Sequence, residues 1–265
     1  MADDGHNRPG AGTAIAHTLG AKATPDGYTL LLASSSGLAS NPAFGTKLDY
    51  DPIKDFQSVG LAGYAPQLLV VHPGVASKDM REFIELARSQ PDKISFGSPG
   101  TGSLGHLSIA LLNTTANTRF LHVPYKGAGF GMIDLVAGRI HAFFGSVTGS
   151  QPQVTAGKLR ALATGHAKRL RAMPDVPTMR EAGYVGHESG AQFGIFTTGG
   201  TPLNTVRRLN SEINRIIATP EITKSFIGIG MEPGGMTVEA FTKRYFADLA
   251  LWKDVVARAK IPMTD

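Results

Sequence analysis

The chain contains no cysteine and little charge. None of its 265 residues is Cys, 18% are Asp, Glu, Lys or Arg, and a single one is Trp. The lack of thiols excludes disulfides, thiolate metal sites and a cysteine nucleophile. No apolar run approaches the ~20 residues of a membrane-spanning helix, so we expect no membrane insertion. Residues 1–5 have neither the basic nor the apolar region of a signal peptide.

Glycine and apolar residues are abundant instead. The 32 Gly, 16 Pro and 42% hydrophobic residues suit an α/β protein with many short loops, built as one large or two ordinary domains. The formal net charge of +5 is mild. The densest basic stretch, residues 158–171, has no aromatic residue among its charges, so we expect a solvated face and no nucleic-acid partner. The histidines show no metal-ligand spacing, and no metal or cofactor is expected.

Short apolar runs alternate with helical patterns along the chain. This alternation is typical of mostly parallel sheets flanked by helices. Helices are predicted after Ser77, after Thr201-Pro202 and after Thr237, where apolar residues recur at helical spacing. The strand candidates are residues 28–33, 67–72, 94–97, 120–123, 141–144, 159–163 and 192–196.

A glycine-rich segment at residues 97–106 follows one strand candidate and precedes an apolar helix. Glycines allow a tight turn and a close approach to a ligand, and the free N–H groups of a first helical turn favour an anion. Gly100-x-Gly102-x-x-Gly105 also matches a dinucleotide fingerprint, but no acidic residue follows before Asp134, where one is needed about 20 positions on. Two interpretations of this segment remain: a corner that binds an anion, and a turn that only links two elements.

Two other predicted strands also end in small hydroxyl and glycine residues. Ligands of open α/β sheets bind beyond the carboxyl ends of the strands, so we expect these corners to converge on one polar ligand. Neutral N–H and O–H donors suit a carboxylate. Each hydroxyl could equally be an ordinary helix cap. The candidate ligand-binding residues of the three corners are Ser34, Ser35, Ser36, Gly100, Thr101, Gly102, Ser103, His106, Ser146 and Val147.

An enzyme is the alternative interpretation. Ser103 and His106 are three residues apart and could meet on one helical turn as nucleophile and base of a hydrolase-like enzyme acting on a carboxylate or ester. The sequence has no Gly-x-Ser-x-Gly elbow and indicates no third, orienting group. A third alternative is a chain that binds nothing and folds only in association with itself or another chain.

Several motifs occur in order from residue 7 to beyond residue 200. They read NRPGAG at 7–12, PDGYTLL at 25–31, HVPYKG at 122–127, GKLRALA at 157–163 and PDVPT at 174–178. Together they resemble the solute receptors of tripartite tricarboxylate transporters, the Bug or TctC family. The resemblance implies a two-domain periplasmic-binding-protein fold of type II, a Venus flytrap with mostly parallel sheets flanked by helices. Domain I would comprise residues 1–102 and 194–265, and domain II residues 103–193.

The resemblance also implies a function. It makes the protein a periplasmic receptor that captures a dicarboxylate, tricarboxylate or aromatic acid in the interdomain cleft and delivers it to the membrane permease of the transporter. Phe193 would pack against the carbon skeleton of the ligand. Ser146 stands where some members have a carboxylate, which favours ligands without an amino group. Members begin with a strand, a ligand loop and a helix before the motif at residue 7, so the resemblance implies a domain I that is incomplete at its N-terminus.

Overall fold

The computed structural model describes residues 13–34, Leu38 and residues 47–259, and strands and helices alternate along it. The strands are β1 (Leu31–Ser34), β2 (Phe56–Val71), β3 (Ser95–Ser98), β4 (Leu121–Pro124), β5 (Ala142–Ser146), β6 (Arg160–Thr164), β7 (Gly190–Thr198) and β8 (Glu232–Pro233). The helices are α1 (Ala14–Ala21), α2 (Met80–Ser89), α3 (Leu104–Ala116), α4 (Ala128–Val136), α5 (Val147–Thr155), α6 (Leu203–Ile217), α7 (Pro220–Gly228) and α8 (Val238–Ala259).

The longest strand, β2, takes part in two sheets. Residues 56–66 of β2 pair antiparallel with β7, β7 pairs with β1, and the short β8 also pairs with β2; we call this the first sheet. Residues 67–71 of β2 pair antiparallel with β5 and, from residue 68, with β6. Strand β3 lies parallel to both β5 and β4. These strands form the second sheet.

The two sheets meet at a crossing where β2 passes Pro66. Pro66 pairs with Gly190 at the start of β7, and the next residue, Gln67, begins the pairing with β5. The N–H of Gln67 donates to the Ser189 carbonyl at 3.0 Å, that of Ser189 to the Gly165 carbonyl at 3.0 Å, and that of Gly165 to the Gln67 carbonyl at 2.8 Å. A Cβ at Gly165 would lie 2.2 Å from the Ser189 carbonyl oxygen, so the crossing requires glycine there.

Helices cover both faces of the second sheet. Phe143 and Phe144 are neighbours in β5 and therefore point to opposite faces. Phe144 packs in the cluster that holds α2 and α3, and Phe143 packs in the cluster that holds α4 and α5. Helix α2 presents apolar residues at a spacing of three and four, among them the fully buried Phe83, and so buries one face.

Helix α8 contacts both parts of the molecule. Phe241 and Tyr245 pack against Phe196 of the first sheet. Further along the same helix, Trp252 packs against Leu107 of α3, which covers the second sheet. The long C-terminal helix therefore joins the two sheets at a second place, apart from the crossing.

The predicted α/β fold with helices flanking its strands is confirmed, but the strand pairing is mixed rather than mostly parallel. Among the described strands only β3–β4 and β3–β5 are parallel pairs. Strand β2 runs through both sheets and pairs antiparallel with β5, β6, β7 and β8, and β1 pairs antiparallel with β7. Strand β2 also begins at Phe56, well before the predicted start at residue 67.

Two helix starts can be compared with their predictions. Thr237 caps α8 as predicted, because its hydroxyl oxygen accepts the Ala240 N–H at 3.2 Å. Helix α2 also follows Ser77 as predicted and begins at Met80. Its N-cap is Asp79, whose carboxylate accepts the Glu82 N–H at 2.8 Å.

The division into two domains stays a prediction. Strand β3 pairs within the second sheet, although the predicted boundary assigns residues up to 102 to domain I. Residues 1–12, which the resemblance makes the start of domain I, lie outside the described residues. Among the helices of the described ranges, none has both the length and the apolar character needed to cross a membrane.

Candidate functional site

Three strand ends lie side by side at one edge of the second sheet. Strands β4, β3 and β5 are parallel neighbours that end at Pro124, Ser98 and Ser146. A helix follows each of them, and the N-caps of α4, α3 and α5 are Gly127, Ser103 and Ser146. First-turn N–H groups lack intrahelical acceptors and the helix dipole is positive there, so this carboxyl edge of the second sheet favours an anion.

The glycine loop, residues 99–103, uses several of its predicted donors internally. The N–H of Gly100 donates to Ser98 Oγ, and the N–H of Gly102 donates to His106 Nδ1, both at 3.2 Å. The Ser103 hydroxyl donates to the Gly100 carbonyl at 2.7 Å and accepts the His106 N–H at 3.3 Å. Gly102 has a φ of 78°, a conformation that favours glycine. These N–H and O–H groups hold the loop in shape, so a ligand would have to bind to other donors.

Other amides of this corner remain available. Within the described residues, the N–H groups of Thr101, Leu104 and Gly105 have no hydrogen-bond acceptor. Thr101 is exposed. A Cβ at Gly105 would lie 2.8 Å from Pro99 Cδ, so this glycine lets the loop pack onto the first turn of α3. An anion at this corner would therefore contact Thr101 and the start of α3.

Two histidines stack beside the loop. The rings of His106 and His122 lie 3.8 Å apart between centroids at an interplanar angle of 6°. His122 Nε2 lies 2.7 Å from Ser98 Oγ, at the root of the glycine loop. Burial lowers the pKa of His106, and burial together with His106 lowers the pKa of His122 to about 4. Both rings are neutral at pH 7.

Ser103 and His106 do not form a nucleophile–base pair. The Ser103 hydroxyl meets the backbone of His106, while the His106 ring faces the Gly102 amide and the His122 ring. In the part of the chain that is described, no carboxylate contacts the His106 ring to orient it, and no cluster of three or more metal-ligating side chains occurs. The geometry does not support the hydrolase alternative.

Ser146 forms the second corner. Its hydroxyl oxygen accepts the Gly149 N–H at 3.2 Å and lies 3.3 Å from Thr148 Oγ1. Val147 as a whole residue is only 2% exposed and packs in the core, so almost none of it, backbone N–H included, is open to a ligand. A Cβ at Gly230 would lie 3.0 Å from the Thr148 N atom, so a turn beside the first sheet rests on this helix start.

Ser34 and Phe193 lie on the first sheet. They are paired across β1 and β7, and Phe193 is also opposite Gly63 of β2. From Gly63 to Gln67, which is opposite Ser146, β2 advances roughly 13 Å. The structure thus joins the two groups of predicted residues by one strand. Ser35 and Ser36 lie outside the described residues.

Residues 124–127, part of the HVPYKG motif, brace the glycine loop, although they are not among the predicted ligand-binding residues. The Tyr125 N–H donates to the Ser98 carbonyl at 3.0 Å, and the Gly127 N–H to the Pro99 carbonyl at 2.9 Å. The Tyr125 hydroxyl donates to Asp134 at 2.9 Å, and partial burial with this bond raises the pKa of Tyr125 to about 12. The sequence signal that could have identified this segment is Gly127, a glycine that follows a strand candidate and precedes a helix.

Two α/β sheets joined by a crossing, with helix N-termini beside the junction, define a protein of the periplasmic-binding class. The sequence matches the profile of the tripartite tricarboxylate transporter family receptor, TctC, over residues 5–260. The chain belongs to this family. The resemblance deduced from its motifs is confirmed.

Relatives and solved structures agree with this assignment. A UPF0065 protein from the tcbD–tcbE intergenic region of Pseudomonas sp. strain P51 is 36% identical over 256 residues, which cover 96% of this chain and 76% of that protein. Rpa4515 of R. palustris, solved with adipate, is 32% identical with a TM-score of 0.75 over 94% of this chain and 83% of that one. MatC (Rpa3494) of Rhodopseudomonas palustris, solved with bound malate, is 30% identical with a TM-score of 0.71 and covers 93% of this chain and 85% of its own.

Proposed function

We propose that this receptor captures a small organic carboxylate between its two sheets, in the periplasm, and delivers it to the membrane permease of a tripartite tricarboxylate transporter. A dicarboxylate, a tricarboxylate or an aromatic acid is the expected ligand. Adipate and malate in the related structures support this class of ligand. Membership of the receptor family supports the partner and the compartment.

The observation that carries the proposal is the set of open amides at the carboxyl edge of the second sheet. Thr101 and Leu104 have N–H groups without an acceptor among the described residues, at the start of the helix that follows β3. Hydrogen bonds to an ionised carboxylate are stronger than those to a neutral acceptor. Phe193 on the first sheet would supply apolar surface for the carbon skeleton.

We further propose that the two sheets are the cores of two domains that close on the acid by a hinge at the crossing. Pro66 and Gly190 mark the change of sheet on β2 and at the start of β7. The proposed boundaries therefore lie near residues 66 and 190, and the predicted boundaries near 102 and 193 shift accordingly.

Calorimetry and thermal unfolding with a panel of acids test the binding proposal. A ligand that binds only the folded state adds about 2.7 kcal/mol to the free energy of unfolding at a concentration of 100 Kd. We expect adipate, malate or an aromatic acid to stabilise the protein and their neutral amides to have no effect. We also expect acids with an amino group to bind more weakly, because Ser146 offers no charge. Failure of every acid to stabilise the folded protein would contradict the proposal.

Delivery requires a second experiment. Detergent-solubilised permease of the transporter should retain the receptor more strongly when the bound acid is present than when it is absent. Equal retention in both conditions would argue against delivery while leaving the binding result intact.

A further inference from the structure

The glycine loop depends on one side chain for the position of its central amide. The Gly102 N–H points at His106 Nδ1 at 3.2 Å, and the neighbouring Thr101 N–H is one of the open donors of the proposed site. Other hydrogen bonds of the loop join Ser98, Gly100 and Ser103 to one another and the Gly127 N–H to the Pro99 carbonyl, and none of these reaches the Gly102 amide. His106 therefore supplies the acceptor that fixes the loop from the side of α3.

This contact defines the protonation state of the ring. Nδ1 can accept the Gly102 N–H only when it carries no proton, so a neutral ring has its proton on Nε2. A protonated ring would present an N–H at Nδ1 to the N–H of Gly102, and two donors cannot bond to each other. Protonation of His106 therefore removes the hydrogen bond and frees residue 102.

His122 keeps the His106 ring in place. It stacks on that ring and reaches Ser98 Oγ, whose oxygen also accepts the Gly100 N–H. The two imidazoles together connect both ends of the glycine loop. His122 lies on β4, so the stack also ties α3 to the edge of the second sheet.

The charged and polar groups around the pair come from three elements. A cavity of about 290 Å³ beside the rings is lined by Asn113 and Thr114 of α3, by His122 of β4 and by Arg258 of α8. Arg258 is paired with Asp254 at 2.8 Å. Arg258 lines the same cavity as the histidines, and it is burial, joined for His122 by the neighbouring His106, that lowers the pKa of the two rings.

We propose that neutral His106, held by its stack on His122, is a positioning residue that sets the glycine loop for carboxylate binding. This inference rests on the proposed function. Its consequence is a loss of affinity in acid that belongs to the protein and not to the ligand. Burial holds the pKa of His106 below its ordinary 6.5, so the loss begins below that pH.

Two substitutions at His106 separate positioning from packing. His106→Asn retains an acceptor at the same number of bonds from the backbone, because Asn Oδ1 and His Nδ1 are both attached to Cγ. His106→Leu retains apolar volume without an acceptor. We expect the Kd for malate or adipate at pH 7 to rise about tenfold in His106→Leu and less than about threefold in His106→Asn.

The pH dependence of the Kd shows which ring causes the loss of affinity in acid, which we call the acid step. Protonation of the ligand weakens binding equally in all variants, so the ratio of Kd values between wild type and variant isolates the protein. This ratio should change below pH 6.5 for His106→Asn, which has no ring to protonate. His122→Phe preserves a stacked ring and should keep the acid step. If His122→Phe abolishes the step, the step belongs to His122 and the proposal is wrong.

Hydrogen exchange tests the inference without a ligand. The Gly102 amide should be protected at pH 7 in the wild type and in His106→Asn, and about tenfold less protected in His106→Leu. Equal protection in His106→Leu and the wild type would overturn the inference even if acids bind. If no acid binds but the exchange pattern appears, the positioning contact stands and the proposed function fails. Should His106→Leu not fold, the comparison of wild type and His106→Asn across pH still decides.

Discussion

His187 is buried to 1% exposure and stacks on Phe144 with ring centroids 5.5 Å apart. Neither of its ring nitrogens has a hydrogen-bond partner within the described residues. Burial lowers the pKa of His187 to about 3, so the ring remains neutral in the folded protein over most of the acid range. An unfolded chain has no such burial, and its histidine titrates near the ordinary value of 6.5.

The unfolded state therefore binds more protons than the folded state between about pH 6.5 and pH 3, and His187 lowers the stability as the pH falls through that window. We expect wild type to lose up to ~1.4 kcal/mol per pH unit more than His187→Leu between pH 6 and 4. Urea unfolding of both proteins at several pH values measures this difference. Parallel pH profiles would show that His187 does not bear the proton linkage.

Individual site residues were predicted unevenly for a physical reason. Ser103 and Ser146 were recognisable because a hydroxyl between a strand and a helix is a common N-cap, and both do cap helices. The engagement of Gly102 by His106 was not predictable, because it depends on the path of the loop. His122 lies 24 positions from its partner Ser98, and no local pattern connects the two.

Among the elements, β2 shows where a sequence pattern loses its information. Its last residues form an apolar run that predicts a strand, but residues 56–66 contain Gly60, Gly63 and Pro66 and do not alternate regularly. They become a strand because β7, more than a hundred residues later, pairs with them. Tertiary pairing overrides local propensity here. The helices were better predicted, because the spacing of apolar residues in α2 and α6 is a local signal.

Two glycine-to-alanine substitutions test the difference between a crossing and a helix start. At Gly165 the new Cβ would meet the Ser189 backbone at 2.2 Å, and we expect a loss of about 2–3 kcal/mol or more in unfolding free energy. At Gly129, in the first turn of α4, a new Cβ would have no atom within 4 Å beyond its chain neighbours and its own helix backbone. Alanine there should add roughly 0.5 kcal/mol to the unfolding free energy. Chemical denaturation measures both. A tolerated Gly165→Ala would show that the crossing can shift to admit a side chain.

For the whole molecule, the contact between α3 and α8 decides how tightly the two sheets are joined. Trp252 is the single tryptophan of the chain, and it is 4% exposed. It packs with the fully buried Leu107, while Ile109 of the same helix packs on the opposite side, against the second sheet. Tryptophan emission therefore reports on the contact between α3 and α8, and the two positions on α3 form a matched pair.

Leu107→Ala and Ile109→Ala should destabilise the protein by similar amounts, about 2–5 kcal/mol each, because both leave a cavity in a packed core. Their effects on the folded protein should differ. Leu107→Ala removes the neighbour of Trp252, so we expect emission at longer wavelength and stronger quenching by acrylamide under native conditions. Ile109→Ala should leave both signals unchanged. If both variants alter the emission alike, α3 responds as one rigid unit and its contact with α8 is not separable from the core of the second sheet.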